Sequence, residues 1–284
     1  MKKTIMAFLT GLFLVGCGNS NASIWKITNG ENVIYIGGSV HLLREKDFPL
    51  PKQFDDVYSK AQVLVFETNI DELKNQSAVM KLMEIAKLED GKTLKDVLSE
   101  ETYTLLEAKC KEHLIPMQLI ESLKPSMAMQ MFSSVMLIKS GITAEGADII
   151  FADKANDDGK RIEWLEDVEF QMNMLANMAD GIEDEYVKSS LEDLEKSIES
   201  LENIIDDWKH GKAAAVSELQ EMKDKYPSVY KAMIYDRNMA WMPQIEKYLQ
   251  SSEVEFIIVG GGHLWGSDGI ITMLADKGYT VEQL

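Results

Sequence analysis

The sequence has little of several residue types on which common functional classes depend. It has 284 residues but only two cysteines, Cys17 and Cys110, and only four histidines. Two cysteines cannot form a disulfide framework or a cysteine-rich zinc site. Basic residues are also scarce, with 29 Lys and Arg against 47 Asp and Glu, and the formal net charge is −18. A balance this acidic argues against DNA or RNA as the main partner, because phosphate binding needs a basic surface.

The apolar run near the start of the chain is too short for a mature transmembrane helix. It extends from Ile5 to Val15 after a basic Met1-Lys2-Lys3, whereas a bilayer span needs about 20 apolar residues. A basic start followed by a short apolar stretch is typical of a secretory signal peptide. We therefore expect residues 1–16 to be a signal that is removed.

The end of this run favours lipidation. Leu14-Val15-Gly16-Cys17 looks like the lipobox of bacterial lipoproteins, in which the cysteine is lipidated and becomes the new N-terminus; the alternative is an ordinary signal peptide with an incidental cysteine. Residues 17–23 then form a flexible tether. The expected location is the bacterial cell envelope, on the outer membrane facing the periplasm or on the extracellular side of the cytoplasmic membrane.

Strand signals lie at both ends of the mature chain. Asn29-Gly30 is a strong turn signal between two short strands, and we expect a β-hairpin there. The segment from about 71 to 250 has helical patterns instead. The sequence therefore predicts an α/β fold: one domain, residues 24–284, with a mixed central sheet from both chain ends and a long helical insertion. The predicted strands are 23–28, 33–36, 62–66, 254–259 and 279–283.

Two apolar patterns in the insertion each allow two interpretations. One helix carries a heptad seam that predicts either packing within the chain or a dimer contact, so the oligomeric state stays open. A methionine-rich stretch predicts either core packing or a pliable apolar groove for a peptide. The seam is Val187, Leu191, Leu194, Ile198, Leu201, Ile205 and Trp208, and the methionines are Met127, Met129, Met131 and Met136.

Two of the four histidines follow predicted strands in matched settings. Each ends a Gly-x-x-His motif, Gly38 to His41 and Gly260 to His263, and Glu67 ends a third strand. Glycine allows a sharp turn where a strand leaves the sheet, and ligands bind at the carboxyl ends of strands in open α/β sheets. Two imidazoles and a carboxylate suit a catalytic divalent metal with an open water position. A lone histidine is more often structural, and His113 and His210 have polar helical surroundings.

These residues carry a resemblance to a known family. The chain resembles the TraB/PrgY/GumN family, within the wider group that includes the Tiki metalloproteases, over almost the whole mature chain. The matching features run in order along the sequence: Trp25-Lys26-Ile27 through Gly38-Ser39-Val40-His41, the strand ending in Glu67, Trp164-Leu165-Glu166-Asp167 with Gln171, Asp236-Arg237-Asn238 with Trp241, and Val259 through Leu264. Relatives commonly have Leu-Glu-Thr where this chain has Leu165-Glu166-Asp167.

The resemblance implies a fold and a site, and it leaves the reaction open. Tiki-like members are metal-dependent proteases whose two Gly-x-x-His motifs and glutamate map to His41, His263 and Glu67. Many bacterial members have no established activity, and pheromone-shutdown relatives suggest sequestration of a peptide. The distant erythromycin esterase-like proteins share the architecture and are thought to use a histidine and a glutamate without a metal.

The resulting hypothesis is a lipid-anchored envelope hydrolase that acts on a peptide or protein substrate. His41 and His263 would bind a divalent metal (Mn, Co or Zn), with Glu67 as third ligand or general base. Arg237 would stabilise an oxyanion, with Asn238 as a polar neighbour. Alternatively, Arg237 forms a helix salt bridge with Asp236 or Glu246, and Glu166 is an exposed or N-capping acid. The competing functions are a non-catalytic binder that sequesters a peptide or signal and a metal-free His/Glu esterase.

Overall fold

The computed structural model of the chain describes residues 22–142, 145–213 and 216–284. Residues 73–74 and 193–199 are described by their backbone alone. The predicted signal peptide and Cys17 lie outside the described residues. Within those residues, no helix combines the length and the hydropathy that a bilayer crossing requires.

In the described residues, six strands form one sheet and twelve α-helices surround it. The strands are β1 (Ile24–Asn29), β2 (Asn32–Ser39), β3 (Val63–Phe66), β4 (Arg161–Trp164), β5 (Glu255–Gly260) and β6 (Thr280–Gln283). The helices are α1 (Lys52–Lys60), α2 (Gln76–Ala86), α3 (Leu94–Val97), α4 (Glu100–Glu112), α5 (Pro125–Lys139), α6 (Ala147–Asp157), α7 (Val168–Asn177), α8 (Glu183–Lys209), α9 (Val216–Lys225), α10 (Pro227–Tyr230), α11 (Asp236–Tyr248) and α12 (Ile270–Asp276).

The predicted α/β class and the mixed sheet from both chain ends are confirmed. The strand order is β4-β3-β5-β2-β1-β6. β4, β3, β5 and β2 are parallel to one another, whereas β1 is antiparallel to both β2 and β6. The predicted hairpin is also present, because Asn29 pairs with Asn32 and Gly30 takes the positive φ of +62° that favours glycine at such a turn.

Helices cover both faces of the sheet. On one face, alternate strand residues such as Leu64 and Phe256 pack against α1, α6 and the end of α8. On the other face, their neighbours, such as Val65 and Ile257, pack against α11 and α12. A third apolar cluster joins α3, α4 and α5 to the start of α8. The central strands are therefore buried on both faces, as expected for a parallel sheet.

The structure corrects two predicted boundaries. The segment 71–250 is not entirely helical, because β4 (Arg161–Trp164) joins the sheet beside β3. β4 is a four-residue edge strand with exposed ends, so it lacks the buried apolar run that marks the other parallel strands. The last two residues of the predicted tether 17–23 belong to the domain, because Ala22 and Ser23 are buried in it.

The heptad seam packs inside the chain at both of its described ends. Val187 and Leu191 belong to the cluster of α3, α4 and α5. Ile205 and Trp208 belong to the core between the sheet and helices α1 and α6. The side chains of Leu194 and Ile198 lie outside the described residues. Leu201 also packs against this core, so the first interpretation of the seam accounts for five of its residues.

Candidate active site

Three neighbouring strands bring the predicted site residues to one edge of the sheet. β3, β5 and β2 are adjacent and parallel, so their carboxyl ends meet there. Glu67 follows β3, His263 lies just after β5, and His41 lies two residues beyond β2. The structure therefore places the two imidazoles and the carboxylate at the same edge of the sheet.

Glu67 is held at the centre of this group. Its Oε1 accepts a 2.6 Å hydrogen bond from the backbone N–H of Gly260 and lies 3.9 Å from Nε2 of His263. Its Oε2 pairs with the guanidinium of Arg237 and accepts a 3.2 Å hydrogen bond from Gln171. Both carboxylate oxygens therefore have donors although the side chain is only 10% exposed.

His263 is fixed at both ring nitrogens. Its Nδ1 lies 2.7 Å from Oδ1 of Asn238, and its Nε2 lies 3.0 Å from Nη1 of Arg237. Arginine can only donate, so Nε2 accepts and Nδ1 carries the proton that is donated to Asn238. The ring also packs on Trp241, with 4.5 Å between the ring centroids.

His41 is held by a residue from the insertion. Its Nδ1 lies 2.9 Å from Oδ2 of Asp148, whose Oδ1 accepts a 2.9 Å hydrogen bond from Ser39. Asp148 lies in the first turn of α6, and its carboxylate accepts from Ser39, the last residue of β2, and from His41. The Nε2 atom of His41 is left facing Glu67 across Gly260.

The glycines of the site provide space and do not make a turn. Neither Gly38 nor Gly260 has a positive φ, which corrects the expectation of a sharp turn at the motif glycines. A Cβ on Gly260 would lie 3.2 Å from both Oε1 of Glu67 and Nε2 of His41. A Cβ on Gly38 would lie 3.2 Å from the Cα of Gly261. Gly38 lets the turn after β5 approach β2 closely, and Gly260 leaves the centre of the site open.

Arg237 and Glu166 both belong to the site. Arg237 donates to Oε1 of Glu166 over 2.7 Å as well as to Glu67, whereas Asp236 pairs with Lys231 and Glu246 with Lys277. The helix salt bridge considered for Arg237 is therefore absent. Glu166 is also not an exposed or capping acid: its side chain is 6% exposed and accepts from Trp241. A π-helical turn, Lys231–Tyr235, precedes Arg237, and such turns are frequent at functional sites.

Asn238 orients His263 and does not face the cavity. Its Oδ1 accepts from the ring, and its Nδ2 donates to the carbonyls of His263 and Asp268. Its side chain is fully buried, and both ends of the amide are committed. We therefore describe it as a positioning residue and not as the polar neighbour of an oxyanion.

The three central titratable groups have strongly perturbed ionisation. Burial lowers the pKa of His263 to about 3. Burial alone would raise the pKa of Glu67, but the charges of His263, Arg237 and His41 lower it to about 2. The carboxylate of Asp148, through its hydrogen bond and its charge, raises the pKa of His41 to about 9. At neutral pH, Glu67 is thus an anion, His263 is neutral and His41 carries a proton.

A cavity of about 350 Å³ opens onto these groups. His41, Glu67, Arg237 and His263 line it. A second cavity of about 580 Å³ has only uncharged lining residues, and the two share Leu42, Leu201, Ile204 and Met233. Of the methionine-rich stretch, Met129 lines the second cavity, Met136 is buried in the helical cluster and Met131 is 44% exposed.

The donor atoms fit a divalent cation in kind. Metal-binding histidines usually donate their second ring N–H to a carboxylate or carbonyl, and Asp148 and Asn238 accept at the Nδ1 atoms of His41 and His263. In the part of the chain that the structure describes, no three such side chains already converge on one point. Nε2 of His263 is already bonded to Arg237. His41 and Glu67 could bind a cation directly, and His263 could do so after the guanidinium releases its ring.

Sequence reasoning missed one residue of this site. Asp148 is 107 positions from His41 along the chain, and an aspartate in the first turn of a helix is common for electrostatic reasons alone. The available signal was Gly146. A Cβ on Gly146 would lie 2.5 Å from the backbone of His41, so this glycine lets α6 begin against the histidine.

Comparison with known proteins identifies the family. The model of the TraB/PrgY/gumN family matches residues 23–283, so the chain belongs to this family. No curated protein and no solved structure matches the chain. The match covers the sheet, the insertion and every residue of the candidate site.

Proposed function

We propose that this member of the TraB/PrgY/gumN family is a metal-dependent hydrolase, most specifically a peptidase, of the bacterial cell envelope. It would be anchored by a lipid on Cys17. One observation carries the enzymatic part: His41, Glu67, His263 and Arg237 converge on one cavity at the carboxyl edge of the sheet. Strongly perturbed ionisable groups that share a cavity are typical of active sites.

The protein side chains divide the chemistry between them. Glu67, held as an anion, would hold the metal or take a proton from the attacking water. Arg237 lies between Glu67 and Glu166 and would donate to the negative oxygen that develops on the substrate carbonyl. Asp148 holds the His41 ring so that its Nε2 faces the same point.

His41 and Glu67 would hold the cation, with His263 as third ligand once Arg237 has released it. A bound Mn²⁺, Co²⁺ or Zn²⁺ would polarise the substrate carbonyl and make water reactive near neutral pH. His41 must lose its proton to bind a metal, so metal binding should release a proton and strengthen as the pH rises toward 9.

The test combines metal content with hydrolysis. The purified protein is loaded with Mn²⁺, Co²⁺ or Zn²⁺ and incubated with a quenched-fluorescence peptide library. We expect bound metal in the wild-type protein, less in the His41→Ala and His263→Ala variants, and loss of hydrolysis with retained peptide binding in Glu67→Gln. The control is His210→Ala, because the His210 side chain is half-exposed and its ring bonds to Asp206 in the last turn of α8.

Two outcomes would contradict the proposal. If the wild-type protein takes up none of these ions, the metal-dependent mechanism is excluded. Peptide binding without cleavage under every metal would favour a binder that sequesters its peptide. In either case the His210→Ala control must behave as wild type, so that a general folding defect is not mistaken for a site effect.

A second candidate is metal-free hydrolysis by histidine and glutamate. The contact that favours it is the 3.0 Å hydrogen bond between Arg237 and Nε2 of His263, because a guanidinium there already supplies positive charge beside Glu67. In this case Glu67 would act as the base on the attacking water. Hydrolysis that survives a strong chelator but is lost in Glu67→Gln would select this mechanism.

A further inference from the structure

The described part of the chain begins in the wall of the candidate active site. Ala22 and Ser23 are 0% and 1% exposed. The Oγ of Ser23 donates to the carbonyl of Trp208 over 3.0 Å, and the Ser23 carbonyl accepts from the backbone N–H of Gly38 over 2.7 Å. Ser23 also lines the same cavity as His41, Glu67 and His263. The start of the domain is thus fixed next to the first Gly-x-x-His motif.

The topology of the first hairpin explains this position. β1 is antiparallel to β2, and Ile24 pairs with Gly37, so β1 begins at the sheet edge where the site lies. The Asn29-Gly30 turn lies at the opposite edge. The six residues of β1 separate the two edges by about 20 Å.

The sequence between Cys17 and this fixed point is short. It spans five residue steps, which reach at most about 18 Å when fully extended. A flexible chain of this length has a root-mean-square reach of about 12 Å. A compact domain of this size has a radius of gyration of about 18 Å, so its diameter is well over twice that reach. A lipid on Cys17 would therefore keep the edge of the sheet that carries the site close to the bilayer.

We propose that the lipid on Cys17 holds the candidate active site against the bilayer, and that its substrates are segments of other membrane-attached proteins within about 20 Å of the lipid headgroups. The substrate class rests on the hydrolase proposed above. Two proteins confined to one membrane surface meet at a high effective concentration, whereas a free peptide has no such advantage. The net charge of −18 gives no attraction to an anionic leaflet, so the tether would supply the proximity.

The position can be measured without any enzymatic turnover. The full lipidated chain is placed in phosphatidylcholine vesicles that carry an acceptor dye on a fraction of their headgroups. A donor dye is attached at Ser267→Cys, an exposed position shortly after His263, or at Glu31→Cys, the matched control in the exposed turn at the far edge. Cys110 is 1% exposed, so it should not compete for the dye.

We expect stronger energy transfer from Ser267→Cys than from Glu31→Cys. A flexible insert of about 20 glycine and serine residues after Ser20 should remove most of this difference, because it roughly doubles the root-mean-square reach. Equal transfer from both positions in the unmodified tether would overturn the proposal. Vesicle binding that is unchanged in a chain that starts at Gly18, without the signal and without the lipidated cysteine, would overturn it as well.

A second arm tests the substrate class. The same quenched peptide library is supplied either free or coupled to lipid in the vesicle that carries the protein. Wild-type protein should prefer the coupled form, and the chain that starts at Gly18 should lose that preference by a factor on the order of 100. An equal preference in both proteins overturns the substrate class. If neither form is cleaved, the hydrolase proposal fails, and the energy-transfer result still decides where the cavity lies.

Discussion

At the scale of single residues, the two matched motifs place their histidines in opposite environments. The His41 side chain is 58% exposed and faces the carboxylate of Asp148, whereas His263 is 5% exposed and faces the neutral amide of Asn238 and the guanidinium of Arg237. The pKa is therefore raised to about 9 for one ring and lowered to about 3 for the other. Two titratable groups with divergent pKa values can serve as acid and base at the same pH.

The role of Asp148 can be tested by Asp148→Asn. The amide has nearly the same shape and can still accept from Nδ1 of His41, but it lacks the charge that favours the protonated ring. We expect the pKa of His41 to fall from about 9 toward the ordinary value near 6.5. NMR titration of the imidazole C–H resonances measures it, and with four histidines in the chain the His41→Ala variant assigns the signal. An unchanged pKa in Asp148→Asn would show that Asp148 does not control the ring.

At the scale of elements, the sequence predicts well what local patterns encode. Apolar runs that end in glycine indicated β2 and β5, and Asn29-Gly30 indicated the hairpin. β4 was missed because Arg161–Trp164 has no buried run and owes its strand form to pairing with β3. Contacts such as Asp148 with His41 and Glu166 with Arg237 join residues far apart in the chain. No local period encodes them, so only the folded sheet could reveal them.

The start of α6 gives a prediction at this scale. A methyl group on Gly146 would lie 2.5 Å from the Cα and carbonyl carbon of His41 and from a carboxylate oxygen of Asp148. Two of these neighbours are backbone atoms that cannot rotate away, so α6 or the His41 segment must shift. We expect Gly146→Ala to lower the free energy of unfolding by about 1–3 kcal/mol, measured by urea unfolding.

A second glycine provides the control for this substitution. A Cβ on Gly262 would lie 3.6 Å from Leu219, which is an ordinary contact distance. Gly262→Ala should therefore unfold close to the wild-type urea midpoint. Equal midpoints for Gly146→Ala and wild type would mean that the close approach of α6 to His41 is not required for stability.

At the scale of the whole molecule, the site forms only when the fold is complete. Glu67, His263 and His41 come from strands at both chain ends, and Arg237 and Asp148 come from the insertion between them. The pKa shifts of these groups therefore belong to the folded state and are absent from the unfolded chain. A pKa that differs between the two states makes the free energy of unfolding depend on pH.

The buried ring of His263 gives this dependence a defined sign and range. Its pKa is about 3 in the folded state and near 6.5 when unfolded, so between these values the unfolded chain binds one more proton. Stability should then fall as the pH is lowered from about 6.5 to about 3, with a contribution of up to about 1.4 kcal/mol per pH unit. Glu67, whose pKa falls to about 2, adds its own loss only below about pH 4.5.

The His263→Gln variant isolates this contribution, because glutamine can accept from Arg237 but does not titrate. Urea unfolding at several pH values from about 7 to about 5 lies above the range where Glu67 contributes. In that window we expect the variant to be less stable at neutral pH but to have a shallower pH slope than wild type. The denaturant slope m must agree between the two proteins, so that the difference reflects proton binding and not the compactness of either state. Parallel pH slopes would mean that His263 is not held neutral by its burial and that the acid-base division between the two motifs does not exist.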